Sequence, residues 1–501
     1  MFNYQSTLFY ALVVCIFGWI QPGLGQDISG IVTTLDQNQL IQPIDSSSLK
    51  FAPGNGNADI SIDETTVYQQ IEGFGGSITD SAALAMYNLK NANSTMYDQF
   101  LQAAFTPQGA ALNYLRVPIG SSDFSSDVYT FDDKRGDTSF TSFNISKAPS
   151  YLFSVLADIK KVNPNAKIHI LPWSPPAWMK TTDTLNGGSL KSEMVSIYHT
   201  YLLKAVQGFN NMSLPVHAIS IQNEPENSNP TYPSCNIPAD QQATIAKSLR
   251  AELNNNNLSS VKIIGYEHNW DGAGSYAVPM VSDSDNDSSD NNDNDSAQTF
   301  AGVSFHCYAG VPDDTTQFSS KFPAVPMYQT ECAGTPGSDW GTDVQWYVQN
   351  LWTTPNTVSG LMWIFASEDN GKAPYPGSDS CGNGCRGMTT VTTSSITLNQ
   401  EYYSMAHYAR AFTSDDGSTI GQRIAATGGS GLNVAAYAVG NKYSLVVLNP
   451  DSEVEQTISF QGNQVSYKFP TGLTTLWWTG STSTTTSSKR RLHRKRRPFT
   501  I

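Results

Sequence analysis

The nine residues AISIQNEPE (218–226) begin as a strand and end as something else. Ile219 and Ile221 alternate with Ser220 and Gln222, which is the period of a half-buried strand. The run then stops on Asn223, Glu224 and Pro225. A second run, PMYQTECAG (326–334), stops in the same way on Glu331. Six more short apolar segments recur, most ending in polar or aromatic residues: IEGFGG (71–76), LNYLRVPIG (112–120), KIHILPW (167–173), VKIIGYEH (261–268), GVSFHCY (302–308) and SGLMWIF (359–365). Helical periodicity fills several of the intervals, most clearly over 191–209 and 240–253. Strands alternating with helices imply a parallel sheet. Eight of them in about 300 residues predict an α/β fold, a closed (β/α)8 TIM barrel, with an open doubly wound sheet as the rival on periodicity alone. Strand C-termini build the working face of such a barrel. Glu224, ending the fourth strand, and Glu331, ending the seventh, are therefore expected at one mouth.

Outside this block the pattern changes. Residues 27–68 and 410–480 carry short alternating strands such as NVAAYAVG and KYSLVVLNP. They predict a small antiparallel β-sandwich built from both chain ends, flanking a catalytic barrel over 69–409. LFYALVVCIFGWI (8–20) followed by GLG (23–25) reads as a signal peptide over 1–25, so a secreted, lysosomal or otherwise lumenal protein is expected. Six Asn-x-Ser/Thr sequons agree with that compartment. Removing the signal removes Cys15 and leaves five cysteines. Of these, Cys381 and Cys385 in CGNGC are the best disulfide pair, and the odd count leaves at least one thiol over. SDSDNDSSDNNDND (282–295) is a low-complexity acidic loop, and 481–501 is a Ser/Thr linker with a basic tail at 489–497. Removing the tail's seven cations from the formal charge of −14 leaves −21. A body so acidic repels nucleic acid.

Several chemistries lack their signature. H-E-x-x-H and G-x-S-x-G are absent, the seven histidines have no metal spacing, and GNGCRG (382–387) has no strand-to-helix context. No metal or cofactor is implied. Two carboxylates across a cleft are the minimum apparatus for glycoside hydrolysis, although strand-end glutamates also serve as ion-pairing acids. IEGFGGSITDSAA (71–83), LRVPIGSSDFS (115–125), LPWSPPAWMK (171–180), SIQNEPE (220–226) and YQTECAG (328–334) settle the choice. In this order they resemble the successive motifs of glycoside hydrolase family 30, which includes glucosylceramidases and microbial β-1,6-glucanases.

The resemblance implies that Glu224 is the acid/base and Glu331 the nucleophile of a retaining mechanism. It implies that Asn223 binds the sugar 2-hydroxyl, that Arg116 keeps Glu331 ionised and that Tyr308 hydrogen-bonds it. Asp80 would grip ring hydroxyls, Trp173 and Trp363 would flank the sugar, and Trp178 would line or underlie the rim. His268 and His306 are read as structural, since the retaining pair leaves them no proton to move. Cys307, Ile364 and the loop 364–387 depart from the glucosylceramide-cleaving members. The first expectation is nevertheless a glucosylceramidase acting in sphingolipid catabolism, with contact to a membrane surface. The alternative is a secreted β-1,6-glucanase acting on β-glucan, and the alternative of another class is an inactive carbohydrate- or lipid-binding protein.

Overall fold

The computed structural model describes residues 26–480 apart from 55, 286–298, 339, 342–343, 345–355, 369–370 and 383. The expected signal segment, most of the acidic loop and the basic tail lie outside the described residues. Eight parallel strands close into a barrel: β1 (Gly73–Ser77), β2 (Tyr114–Ile119), β3 (Lys167–Pro172), β4 (Val216–Ser220), β5 (Lys262–Asn269), β6 (Gly302–His306), β7 (Met327–Glu331) and β8 (Thr357–Met362). Each coincides with one of the eight apolar segments of the sequence, and β8 returns to pair with β1. The two helical intervals form Val195–Asn211 and Ala239–Asn255, whose apolar stripes pack outside the wall.

Both ends of the chain build a second unit, a ten-stranded sheet. Its core is apolar and separate from the barrel's, with Phe51, Tyr443 and Phe460 each in ring contact with Trp478. The expected antiparallel pattern holds at most pairs and fails at one. Ile60–Ile62 run parallel to Ile458–Phe460. The reason is topological: the N-terminal strand Ile60–Gln70 inserts between two C-terminal strands to which no hairpin links it.

The helix Gln400–Ala411 joins the two units. Its His407 is fully buried and lies between Thr33 and Thr475, at 2.9 and 2.7 Å. On the barrel side, Phe74 of β1 packs on Tyr408 and Phe412. The barrel wall itself depends on GFGG. Gly75 pairs with Tyr114 so closely that a Cβ there would sit 1.9 Å from the Tyr114 carbonyl oxygen. Backbone cannot retreat as a side-chain tip can. Gly75→Ala is therefore expected to destabilise the fold by about 1–3 kcal/mol, read as a lowered thermal midpoint. An unchanged midpoint would show that the β1–β2 spacing is slack.

Candidate active site

The centre of the barrel mouth is a cation. Arg116 on β2 is fully buried. Its Nη1 donates to Glu331 Oε1 at 2.6 Å, and its Nη2 donates to Asn223 Oδ1 at 2.7 Å and to Glu267 Oε2 at 2.9 Å. The face of the guanidinium lies over the Trp173 ring, 4.9 Å from its centroid. Trp173 in turn stacks on Trp363 at 4.8 Å. One planar, permanently charged group thus fixes residues from four strand ends, a task suited to arginine's rigid fork of donors.

The rim around it is strained in a specific way. Strand pairing of β4 stops at Ser220, yet Asn223 N–H still donates to Pro172 O, and Glu224 N–H to Glu267 O, each at 2.8 Å. Glu224 sits at φ +45°, and Tyr266 and Glu267 follow at +71° and +63°. Such left-handed positions cost on the order of 1–3 kcal/mol each and persist where neighbours hold them. The pair on β5 forms a bulge: Ser304 opposes Tyr266 and Phe305 opposes His268, so Glu267 has no partner. The bulge turns the Glu267 side chain into the barrel. There Ser220 and Thr330 donate to it, each at 2.7 Å.

Most of the expected residues converge here. A cleft of about 360 Å³ is lined by Trp173, Asn223, Glu224, Tyr308, Glu331 and Trp363, together with Asp123, Tyr232 and Ser380. Tyr308 hydroxyl donates to Glu331 Oε2 at 3.1 Å, so both oxygens of Glu331 accept hydrogen bonds. Trp178 packs beneath, its Nε1 donating to Asp132 O at 3.0 Å.

Asp80 is not among the residues that line this cleft, although its Oδ1 is buried without a partner among the described residues. It begins the helix Asp80–Ala92, and its carboxylate accepts from Ser125 and Tyr129 in the loop after β2. The acid that faces the cleft is Asp123, from the motif SSDFS, and the sequence reading missed it. Asp123 is 4% exposed, its Oδ2 accepts from Ser380 and its Oδ1 has no protein partner. Burial, opposed by the Ser380 hydroxyl, pushes it up to about 7. A buried carboxyl oxygen left unpartnered at a cleft is suited to a sugar hydroxyl.

One cleft wall is the expected Cys381–Cys385 disulfide. A second disulfide, Cys307–Cys332, links the ends of β6 and β7, and Cys235 is a buried free thiol. Asp379, just before the first bridge, accepts from Asn229 and Thr231 and ties this wall to the loop after β4.

His306 was read as structural and turns out to be central. It is fully buried, with Nδ1 3.2 Å from Glu224 Oε1 and 3.7 Å from Glu331 Oε2, and Nε2 3.3 Å from Glu267 Oε2. Burial disfavours its charge, but Glu331, Glu224 and Glu267 outweigh that and raise it to about 9. Burial likewise works against the Glu224 charge, but the His306 bond and the nearby His268 carry Glu224 down to about 2. Burial raises Glu331, opposed by His306 and Arg116. Its two donors nevertheless define a carboxylate, since both oxygens accept. Glu267 is held well below the usual range because Arg116 and His306 overcome its burial. Glu224, His268 and His306 also bring ligand atoms within 4.8 Å of one another. With His306 protonated, that trio already carries its own cation.

A (β/α)8 barrel whose mouth holds two hydrogen-bonded carboxylates, flanking tryptophans and a hydroxyl-seeking acid is the apparatus of a glycoside hydrolase. Residues 71–351 match the model of the glycosyl hydrolase family 30 TIM-barrel domain, and the chain belongs to that family. It is 28% identical over 459 residues to the endo-1,6-beta-D-glucanase BGN16.3 of Trichoderma harzianum, covering 85% of this chain and 88% of that one. It is 29% identical over 285 residues to putative glucosylceramidase 2 of Caenorhabditis elegans, covering 54% and 53%. The solved structure of the endo-beta1,6-glucanase BT3312 superposes with a TM-score of 0.78 at 23% identity, over 91% of this chain and 99% of that one.

The charge on His306 has a consequence for stability. Its folded value, about 9, lies above the ordinary 6.5. A raised group contributes stability that is whole below 6.5 and is lost as pH rises through 9. The native protein is expected to lose on the order of 3 kcal/mol more than a His306→Asn variant between those pH values in urea titrations. Parallel pH profiles would show that His306 is neutral in the folded protein.

Proposed function

We propose that this chain is a retaining β-glycosidase whose substrate is a β-1,6-linked glucan outside the cell. Glucosylceramide, the first expectation, takes second place. The observation that carries the choice is the reach of the likeness: 85% of the chain matches the fungal glucanase, against 54% for the nematode glucosylceramidase. The cleft supports the same reading. Beyond the sugar-flanking tryptophans it is walled by Asn229, Tyr232, Asp379 and Ser380. Those groups hydrogen-bond to saccharide hydroxyls and give a ceramide chain little apolar surface.

Glu331 attacks the anomeric carbon and forms a glycosyl ester. The leaving oxygen takes a proton from Glu224. Glu224 then removes a proton from the water that cleaves the ester, and the sugar leaves with its configuration retained. Asn223, held by Arg116 through its Oδ1, presents its amide nitrogen to the 2-hydroxyl. Trp173 and Trp363 cover the sugar's apolar face, and Asp123 takes a ring hydroxyl.

Purified protein is expected to release reducing ends from pustulan faster than glucose from glucosylceramide. Glu331→Gly should abolish turnover of an activated aryl glycoside, and azide should restore it with an α-glycosyl azide product. Turnover of glucosylceramide with no cleavage of pustulan would overturn the substrate class.

A further inference from the structure

The proton that Glu224 must deliver has no obvious home in this site. Glu224 Oε2 accepts from Asn227 at 2.8 Å, and Oε1 faces His306 Nδ1 at 3.2 Å. Oε2 is placed as an acceptor, and Oε1 shares its one contact with a ring nitrogen that can hold the proton itself. The nearest group able to carry a proton is the imidazole.

We infer that His306 stores the catalytic proton: it rests on Nδ1 in the free enzyme and reaches the leaving oxygen through Glu224 Oε1. His306 is thus a positioning residue for the proton, acting through Glu224. The inference rests on the retaining reading above.

The geometry supports it from every side. Nδ1 lies between the two working carboxylates, 3.2 Å from Glu224 and 3.7 Å from Glu331. Nε2 faces Glu267 at 3.3 Å and Arg116 at 3.4 Å. The rings of Tyr308 and His268 stand at 6.1 and 6.4 Å, nearly edge-on. The backbone of β6 holds the ring at the bulge between Phe305 and His306, which sets His306 opposite Glu331. The low resting value of Glu224 and the high one of His306 agree with a proton on the ring.

The charges balance through the step. At rest Glu331 and Glu224 are anionic and His306 is cationic, a net charge of −1. As Glu331 forms its bond to the anomeric carbon, the bond from that carbon to the leaving oxygen breaks. The leaving oxygen takes the proton from Glu224 Oε1, which takes one from His306 Nδ1. Glu331 is then a neutral ester, His306 is neutral and Glu224 is anionic, again −1. Losing the Glu331 charge removes one of the anions that held the proton on His306, so the transfer and the ester bond reinforce each other. The incoming water returns its proton to the pair in the second step.

Two readouts test this. His306→Asn should lower kcat/KM, which reports the first step, on gentio-oligosaccharides by about 100-fold more than on the 2,4-dinitrophenyl glycoside of gentiobiose, whose leaving group needs no proton. The acid and alkaline limbs of its pH profile should move as well. Equal losses on both substrates would show a purely structural role and overturn the inference. The second readout uses the native chain and holds even where the variant fails to fold. Labelled imidazole NMR of the seven histidines should show His306 protonated in free enzyme at neutral pH. Trapping with 2-deoxy-2-fluoro-β-glucosyl fluoride removes the Glu331 charge, so the His306 titration should then move to lower pH, its proton passing to solvent because fluoride leaves as the anion. Trapping at Glu331 with His306 unchanged would overturn this inference alone, and labelling at another residue, or at none, would overturn the nucleophile reading on which it rests.

Discussion

The site depends on one buried guanidinium. Arg116 binds Glu331, Asn223 and Glu267 together and supports the Trp173 ring. Desolvating a cation and two anions is expensive, and their attraction repays that cost only with good geometry and added hydrogen bonds. Here Ser220, Thr330 and Tyr308 supply further bonds to the two carboxylates, while the Nε of Arg116 has no partner among the described residues. The arrangement is rigid because it is over-determined, and rigidity aimed at developing charge is what catalysis by preorganisation requires. The left-handed backbone at Tyr266 and Glu267 is the local cost of turning the Glu267 carboxylate to that cation, and the left-handed Glu224 lies at the same rim.

The barrel was legible because its signals are local. Eight alternating runs separated by helical periods place the strands, and the two glutamates mark strand ends. What escaped the sequence reading escaped for geometric reasons. Glu267 lies in IIGYEH, where simple alternation gives no reason to turn its side chain toward the mouth; the bulge at that residue does so. His306 faces Glu331 through a second register shift. Asp80 and Asp123 both follow early barrel strands, and only tertiary packing shows that Asp80 turns beneath the loop while Asp123 turns to the cleft. The same contrast holds for the cysteines. Cys381 and Cys385 are neighbours in sequence, whereas Cys307 and Cys332 meet because β6 and β7 pair.

The cleft wall links fold to substrate. The segment from Tyr375 to Cys385 donates to Asp123 O through its first residue, accepts from Thr231 through Asp379 and closes on a disulfide. This lines one wall of the cleft with polar groups. The paired glutamates and Arg116 form the centre of the mouth, and the loops around them shape the cleft.

The proposed reaction turns on direct attack of the sugar by Glu331, held by Arg116. The most direct measurement is proton NMR of pustulan cleavage from its first minutes, before mutarotation mixes the anomers. Attack by Glu331 requires the new reducing end to appear as the β-anomer, with the α-anomer growing in later. If the α-anomer appears first, water has attacked in place of Glu331, and the account is wrong.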